Sequence, residues 1–283
     1  MNRRQKLIVI ETAAGFVSIM LYIWRLRFTA PRAWIFILGF FVLSHVLRRE
    51  RTASLGLRWG NFQECVETLA PALLLIALSL MTAGVLLETI RPISPEYGFM
   101  CLLAYCPWGI FQQYLLNGYI ANRLLAVSSA RYVPVMAAAL FAAAHLPNWF
   151  LMAVTFVTGY VSAKIFMRYR NLYFLGLAHA LIGTVLFVVI PDSISHHLTV
   201  GPGFFRGARS QRAVSRLVST PLLQIQNSDV IAGAVYEPNV TIRAHRHIVH
   251  HKRRIGNGRY VPNGRTPRGG DAAHLVRRVA AEV

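Results

Sequence analysis

Residues 172–190 read LYFLGLAHALIGTVLFVVI, a mostly apolar run without Asp, Glu, Lys or Arg. A helix needs about 20 predominantly apolar residues to cross the hydrocarbon core of a bilayer, so this run has the length of one membrane span. Similar runs recur along the chain, although the second and the fifth are short. We predict spans over residues 7–24, 33–47, 66–90, 99–120, 132–147, 149–167 and 172–190.

The composition indicates the same class of protein. Of the 283 residues, 55% are hydrophobic and only 14% are charged, whereas a soluble globular chain carries about 25% charged residues. In lipid every backbone polar group must be bonded within the protein, so helices are the default structure. The sequence therefore predicts an all-α, polytopic membrane protein with about seven transmembrane helices, and we expect it in the cell (inner) membrane.

Three regions follow from the distribution of charge and hydropathy. Residues 1–98 hold the first spans, and the basic stub before Leu7 is expected to precede a retained span because no small-residue cleavage site follows. Between the second and third spans, residues 48–62 are either an amphipathic segment on the membrane surface or an ordinary connecting loop. Residues 99–203 form the helical core. Residues 204–283 hold 14 Lys/Arg and 4 Asp/Glu without apolar periodicity, so a basic, disordered tail is expected.

The basic loops suggest an orientation. If the N-terminus is cytoplasmic, the cytoplasmic loops contain Arg48–Arg58, Arg123, Arg131 and the group from Lys164 to Arg170. This arrangement follows the positive-inside rule. The loop with Arg25, Arg27 and Arg32 would then lie outside, which does not follow the rule.

Polar side chains inside apolar runs are the candidates for function, because burying them in a bilayer is costly. Gln112 and Gln113 lie in the fourth span, and Asn117 follows Gln113 by four residues, which places both on one helix face. His145 lies near the end of the fifth span, and the seventh contains His179. A single such residue is more often a bond between helices, but a Gln pair and two His residues on three spans favour a shared site.

Their order and spacing resemble the CPBP family, which contains CAAX-type prenyl endopeptidases and bacteriocin-processing (Abi) proteins. The family's first motif is a Glu pair, three residues and Arg, and the corresponding residues are Gln112, Gln113 and Asn117. The second motif, Phe-three residues-His, matches Phe141 and His145. The third, His-three residues-Asn or a similar polar residue, matches His179 and Gly183. The match covers about residues 99–190.

The resemblance implies an intramembrane endopeptidase, a hydrolase in which a Glu activates water, His residues assist and Asn holds the oxyanion. When the family's positions are carried over to this sequence, the resemblance implies catalytic positions at Gln112, Gln113, His145 and His179. Asn117, Asn148, Gly183 and Thr184 become oxyanion-binding or supporting positions, with Thr184 a possible donor in place of the missing Asn.

This sequence departs from the family where the Glu pair should stand. Gln can position water but cannot take its proton near neutral pH. No Asp or Glu occurs between Glu96 and Asp192, so the matched region has no carboxylate of its own. Arg is also replaced, by Asn117, so Glu and Arg have been exchanged together for neutral amides. His145 or His179 would then be the base.

Three functions are consistent with these residues. The first is an endopeptidase acting on membrane-associated, including prenylated, substrates. The second is a catalytically inactive relative that serves as a membrane binding or scaffold protein, and the third is a transporter or channel. Zinc on His145 and His179 would lack a clear third ligand, so we predict no metal and no other cofactor. The expected partners are membrane lipids and a peptide or protein substrate, not nucleic acid; the oligomeric state stays open.

Overall fold

The computed structural model describes residues 1–205. The predicted disordered tail lies outside these residues, apart from its first two. All regular elements between residues 1 and 205 are helices. The α-helices are α1 (Arg3–Leu21), α2 (Arg27–Thr29), α3 (Trp34–Leu47), α4 (Phe62–Leu86), α5 (Pro95–Gln113), α6 (Asn122–Leu125), α7 (Val133–Ala143), α8 (Trp149–Tyr169), α9 (Leu172–Val189) and α10 (Asp192–Ser195).

Four helical stretches are long and apolar enough to cross a membrane: Arg3–Thr29, Phe62–Leu86, Trp149–Tyr169 and Leu172–Val189. Two further apolar helices are shorter, Pro31–Leu47 and Val133–Ala143. Large apolar side chains on these helices face outwards; Leu75 and Leu86, for example, are 67% and 78% exposed. Lipid solvates such side chains as well as a protein core does. An all-helical integral membrane protein is therefore confirmed, while the count of seven spans stays a prediction.

Helices α5 and α9 pack very closely. A Cβ built on Gly109 would lie 2.5 Å from the carbonyl oxygen of Gly176, and one on Gly176 would lie 2.6 Å from Cα of Ile110. Small residues at a helix crossing let two backbones approach, as in other membrane bundles. This crossing brings the two helices that carry Gln113 and His179 into direct contact.

A π-helix follows α5 without a break and runs from Tyr114 to Ala121. Its residues from Leu116 onwards are buried, and Asn117 and Tyr119 are completely inaccessible to solvent. π-Helical turns are rare and occur often at functional sites because they re-aim the side chains around them. Here the π-helix places Asn117 towards α8 and Tyr119 towards α1.

The segment between α3 and α4 is a series of turns that lies against the ends of other helices. The backbone of Gly56 accepts a hydrogen bond from the amide of Leu172 at 2.8 Å, and Asn61 donates to the carbonyl of Tyr169 at 2.5 Å. Trp59 is exposed but stacks on Tyr173, with ring centroids 4.1 Å apart. The segment is therefore a non-helical connection, and its position on the membrane surface stays a prediction.

Candidate functional site

Four polar side chains from three helices form one hydrogen-bonded chain, which we call the amide network: Gln113, Asn117, Ser162 and His179. The amide nitrogen of Asn117 donates to Oε1 of Gln113 at 2.7 Å and to Oγ of Ser162 at 2.8 Å. Ser162 donates to the same Gln113 oxygen at 2.6 Å. Nε2 of Gln113 lies 3.2 Å from Nδ1 of His179. Gln113 and Asn117, which were expected on one helix face, bond to each other, and Gln113 also contacts His179.

The hydrogen bonds of the amide network determine which ring nitrogen of His179 carries the proton. Oε1 of Gln113 accepts from two donors, so its amide nitrogen must be the group that faces the imidazole. That nitrogen can only donate, so Nδ1 of His179 accepts and the ring proton lies on Nε2. Nε2 is 3.4 Å from the hydroxyl oxygen of Tyr105, which accepts from it. The hydroxyl proton of Tyr105 is then available to another acceptor.

Tyr105 fills the space left by the third motif. Gly183 stands where the related family has Asn or a similar polar residue, and a Cβ added to Gly183 would lie 2.5 Å from Cε1 of Tyr105. An Asn side chain could not fit there unless the tyrosine ring moved. Thr184, the stand-in donor predicted from the sequence, is half-buried, and its side chain makes no hydrogen bond within residues 1–205. Tyr105 is the donor that the sequence reasoning missed.

His145 has the opposite tautomer from His179. Its Nδ1 lies 2.6 Å from the carbonyl oxygen of Phe141, one helical turn earlier, and must donate to it. Nε2 of His145 therefore carries the lone pair, and it has no hydrogen-bond partner among the residues that the structure describes. The ring of Phe141 contacts both imidazoles, with centroids 4.8 Å from that of His145 and 6.1 Å from that of His179. The two histidines thus flank one phenylalanine.

Two other predicted site residues, Gln112 and Asn148, are not hydrogen-bonded to the amide network. Oε1 of Gln112 is buried and accepts no hydrogen bond within residues 1–205. Asn148 caps α8 by accepting from the amide of Leu151 at 3.0 Å. Its amide nitrogen donates to the carbonyls of Ser195 and Thr199 at 2.8 and 3.1 Å. Because both ends of this side chain are occupied, its evident role is to hold the segment after α10.

A second polar group, the acid–arginine cluster, was not predicted. It consists of Glu11, His45, Arg48, Glu50 and Arg123. Glu11 accepts hydrogen bonds from Arg48 and from Arg123, the latter at 3.1 Å, and Glu50 accepts from Arg123 at 2.5 Å and lies 2.5 Å from His45. Burial would raise the pKa of Glu50, but hydrogen bonds from Arg123 and His45 outweigh it and lower the pKa. Both carboxylates thus come from outside the matched segment and are held ionised by arginine.

The sequence offers one signal for this cluster. Glu11 lies inside the first apolar run, and a carboxylate in such a run needs a partner. Arg123 is only 3% exposed, so it is not the loop residue expected from its position between two spans. Its guanidinium lies 4.9 Å from the ring centre of Tyr119, which itself donates to Glu11 at 3.1 Å. The cluster therefore fastens α1, α3 and the following loop to the end of the π-helix.

No group of three His, Cys, Asp or Glu side chains that could hold a metal ion occurs in residues 1–205. The polar groups at hand are amides, two imidazoles and hydroxyls. Together they can orient water, take a proton at His145 and donate hydrogen bonds from Tyr105. These are the groups needed for acyl transfer by general base catalysis.

The structure thus defines an all-helical membrane chain with a buried polar site between its helices. In a comparison with known families, residues 94–185 match the model of the family described as Type II CAAX prenyl endopeptidase Rce1-like. The resemblance found in the three motifs is thereby confirmed for this segment, about a third of the chain. The comparisons with curated proteins and with solved structures gave no match.

Proposed function

We propose that the chain is an intramembrane endopeptidase of the CPBP type that uses His145 as its general base. The observation that supports this most is the free Nε2 of His145, with Nδ1 fixed on the carbonyl of Phe141. His179 cannot serve in the same way, because its Nδ1 already accepts from Gln113 and its Nε2 bears the proton. A neutral imidazole thus takes the role of general base that the catalytic Glu has in the family.

In the proposed reaction a water molecule lies between His145 and the carbonyl carbon of the scissile peptide. Oε1 of Gln112, buried without a partner, accepts one of its hydrogens. Nε2 of His145 takes the other proton as the water oxygen bonds to the carbonyl carbon. The oxyanion that forms accepts a hydrogen bond from the hydroxyl of Tyr105. His145 then returns the proton to the amide nitrogen, the carbon–nitrogen bond breaks, and a carboxylic acid and an amine leave.

The proposed substrates are peptides held at the membrane, prenylated ones included. The family description supports a prenylated carboxyl-terminal peptide. The apolar helices around the site support any peptide that carries a lipid group, since such a group partitions into the bilayer by about 0.8 kcal/mol for each buried CH₂. We propose the cell (inner) membrane as its location.

The test is cleavage of a lipidated peptide library by the purified full chain, compared with His145→Asn. Asparagine can still donate to the carbonyl of Phe141 but cannot take a proton, so the rate should fall at least 100-fold, the usual lower range for loss of a general base. His196→Asn is the matched control, because it also removes a half-buried imidazole, one that packs at a tilt against Phe204 and makes no hydrogen bond to the amide network. Equal rates for wild type and His145→Asn would exclude the proposed base.

A second candidate, a non-catalytic relative that binds a peptide, is favoured by one specific observation. Every polar atom of Gln113 is occupied within the protein, which is what a structural network requires and an active carboxylate does not. This candidate predicts that wild type binds lipidated peptides without cleaving them. Cleavage by a variant with Gln112→Glu, Gln113→Glu and Asn117→Arg, together with none by wild type, would decide for it.

A further inference from the structure

A cleft away from the amide network opens between the start of α7 and the last turns of α8. Its volume is about 360 Å³, within the ~300–1,000 Å³ that small-molecule sites have. On α8 the lining residues follow one face at spacings of four and three. The cleft is lined by Ala130, Arg131 and Pro134 on one side and by Tyr160, Lys164 and Met167 on the other.

Its two cations have no acidic partner among residues 1–205. Arg131 and Lys164 are exposed and make no ion pair with any carboxylate in residues 1–205. Three other arginines, Arg48, Arg91 and Arg123, are each bound to Glu or Asp. Arg131 and Lys164 instead lie against tyrosine rings, at 4.4 Å from the ring centre of Tyr132 and 5.6 Å from that of Tyr160. The cleft therefore presents two unneutralised charges and an apolar floor.

The cleft lies at the basic end of the helical core. Arg170, which follows α8, donates to the carbonyl of Ser54, and Asn122 donates to the same carbonyl, so these segments share one end. That end also carries Arg49 and Arg51, both exposed. The positive-inside rule places such an end at the cytoplasmic leaflet, where anionic lipids are found.

Apolar side chains continue from the cleft towards the middle of α8. Val161, Val157 and Phe156 are 49%, 62% and 39% exposed and lie one to two turns before Lys164. Tyrosine is enriched at the membrane interface, where its ring is in the apolar layer and its hydroxyl reaches water. The cations, the tyrosines and the apolar stripe follow one another in the order of a phospholipid's headgroup, glycerol and acyl chain.

We propose that this cleft binds an anionic phospholipid, with the phosphate between Arg131 and Lys164 and an acyl chain along Val161 and Val157. Guanidinium groups form paired hydrogen bonds with phosphate oxygens, and the lysine ammonium contributes a point charge. Carboxylates that could compete for the two cations are absent from this part of the chain, since none occurs between Glu96 and Asp192.

The experiment is a titration of the full chain in neutral detergent with phosphatidylglycerol and, separately, phosphatidylcholine, with bound lipids counted by native mass spectrometry. Wild type should bind one phosphatidylglycerol more tightly than the rest and show no such preference for phosphatidylcholine. Each basic residue near an anionic headgroup strengthens binding about fivefold, so Arg131→Gln with Lys164→Gln should weaken the tight site about 25-fold. Arg131→Lys with Lys164→Arg keeps both charges and should retain it, which separates charge loss from misfolding.

The matched control is Arg49→Gln with Arg51→Gln, which removes the same charge from the same end but does not touch the cleft. If this control weakened phosphatidylglycerol binding as much as the cleft variant, general surface charge rather than a site would explain the binding. Inorganic phosphate in large excess distinguishes a lipid site from a free-phosphate site. Full displacement of the lipid by phosphate, or equal binding of phosphatidylcholine, would overturn the proposal.

Discussion

Replacing Gln113 by glutamate should move the proton on His179 from Nε2 to Nδ1. The two side chains have the same shape, so Oε1 keeps the hydrogen bonds from Asn117 and Ser162. The second carboxylate oxygen then takes the place of the amide nitrogen, 3.2 Å from Nδ1. While the new carboxylate is ionised, at pH values above its pKa, that oxygen can only accept a hydrogen bond, so the imidazole must supply the proton. Nε2 then becomes an acceptor, and the hydroxyl group of Tyr105 donates a hydrogen bond to it.

The size of the effect follows from these two contacts. A hydrogen bond to a charged group contributes about 1.5–3 kcal/mol, and retaining the original tautomer would leave the carboxylate facing a lone pair. Each 1.4 kcal/mol is a factor of ten, so the Nδ1–H form should exceed the Nε2–H form by about tenfold to more than 100-fold. In wild type the same reasoning gives an excess of Nε2–H. The variant would thus convert Nε2 of His179 from a donor to the Tyr105 hydroxyl into an acceptor from it.

The measurement is ¹⁵N NMR of the full chain labelled at histidine, because protonated and unprotonated ring nitrogens have well-separated shifts. His179 is assigned by the signals that vanish in His179→Asn. Gln112→Glu is the matched control, since Gln112 makes no hydrogen bond to His179. A spectrum of His179 that is identical in wild type and Gln113→Glu would refute the assigned network, as would an Nδ1–H signal in wild type.

Three other predictions concern stability in detergent. Glu11→Gln removes one of the two carboxylates that pair with arginines in the acid–arginine cluster. It should lower the free energy of unfolding by about 3–5 kcal/mol, and an unchanged denaturation midpoint would contradict this. Gly176→Ala overpacks the α5–α9 crossing and should cost about 1–3 kcal/mol, whereas Gly39→Ala, with nothing within 4 Å, should not destabilise. Burial raises the pKa of Asp192, but the hydrogen bond from Arg91 and the nearby positive charges outweigh it and lower the pKa. Its contribution is therefore complete above the unfolded value of about 3.9 and is lost as pH falls through the folded value, so the melting difference between wild type and Asp192→Asn should shrink below about pH 4.

The sequence predicted those contacts that depend on local spacing. Gln113 and Asn117 are four residues apart, and they bond to each other. The family motifs added His179, whose approach to Gln113 requires the crossing of α5 and α9. Ser162 was not predicted, because a serine in an apolar helix more often bonds its own backbone, as Ser79 does. Only the packing of α8 against the π-helix distinguishes the two serines.

Tyr105 shows a different limit of sequence reasoning. A tyrosine in an apolar span has no distinctive spacing, and its role arises only because Gly183 leaves room for its ring. The signal was nevertheless in the sequence. A glycine at a position where the related family has a polar side chain implies that some other group fills the space. Such a group must come from a neighbouring helix, and the sequence does not say which.

The acid–arginine cluster bears on the absence of carboxylates between Glu96 and Asp192. Glu11 and Glu50 do reach the core, so a carboxylate base could still have come from outside residues 97–191. Both acids, however, accept hydrogen bonds from Arg123, and a carboxylate held ionised by a guanidinium is a weak base. Neither acid is hydrogen-bonded to any member of the amide network in the part of the chain that the structure describes. In the proposed mechanism the proton acceptor is therefore an imidazole, and of the two in the site only His145 has a ring nitrogen without a hydrogen-bond partner in residues 1–205. On this proposal, the exchange of Glu and Arg for amides moves the base from the first motif to the second.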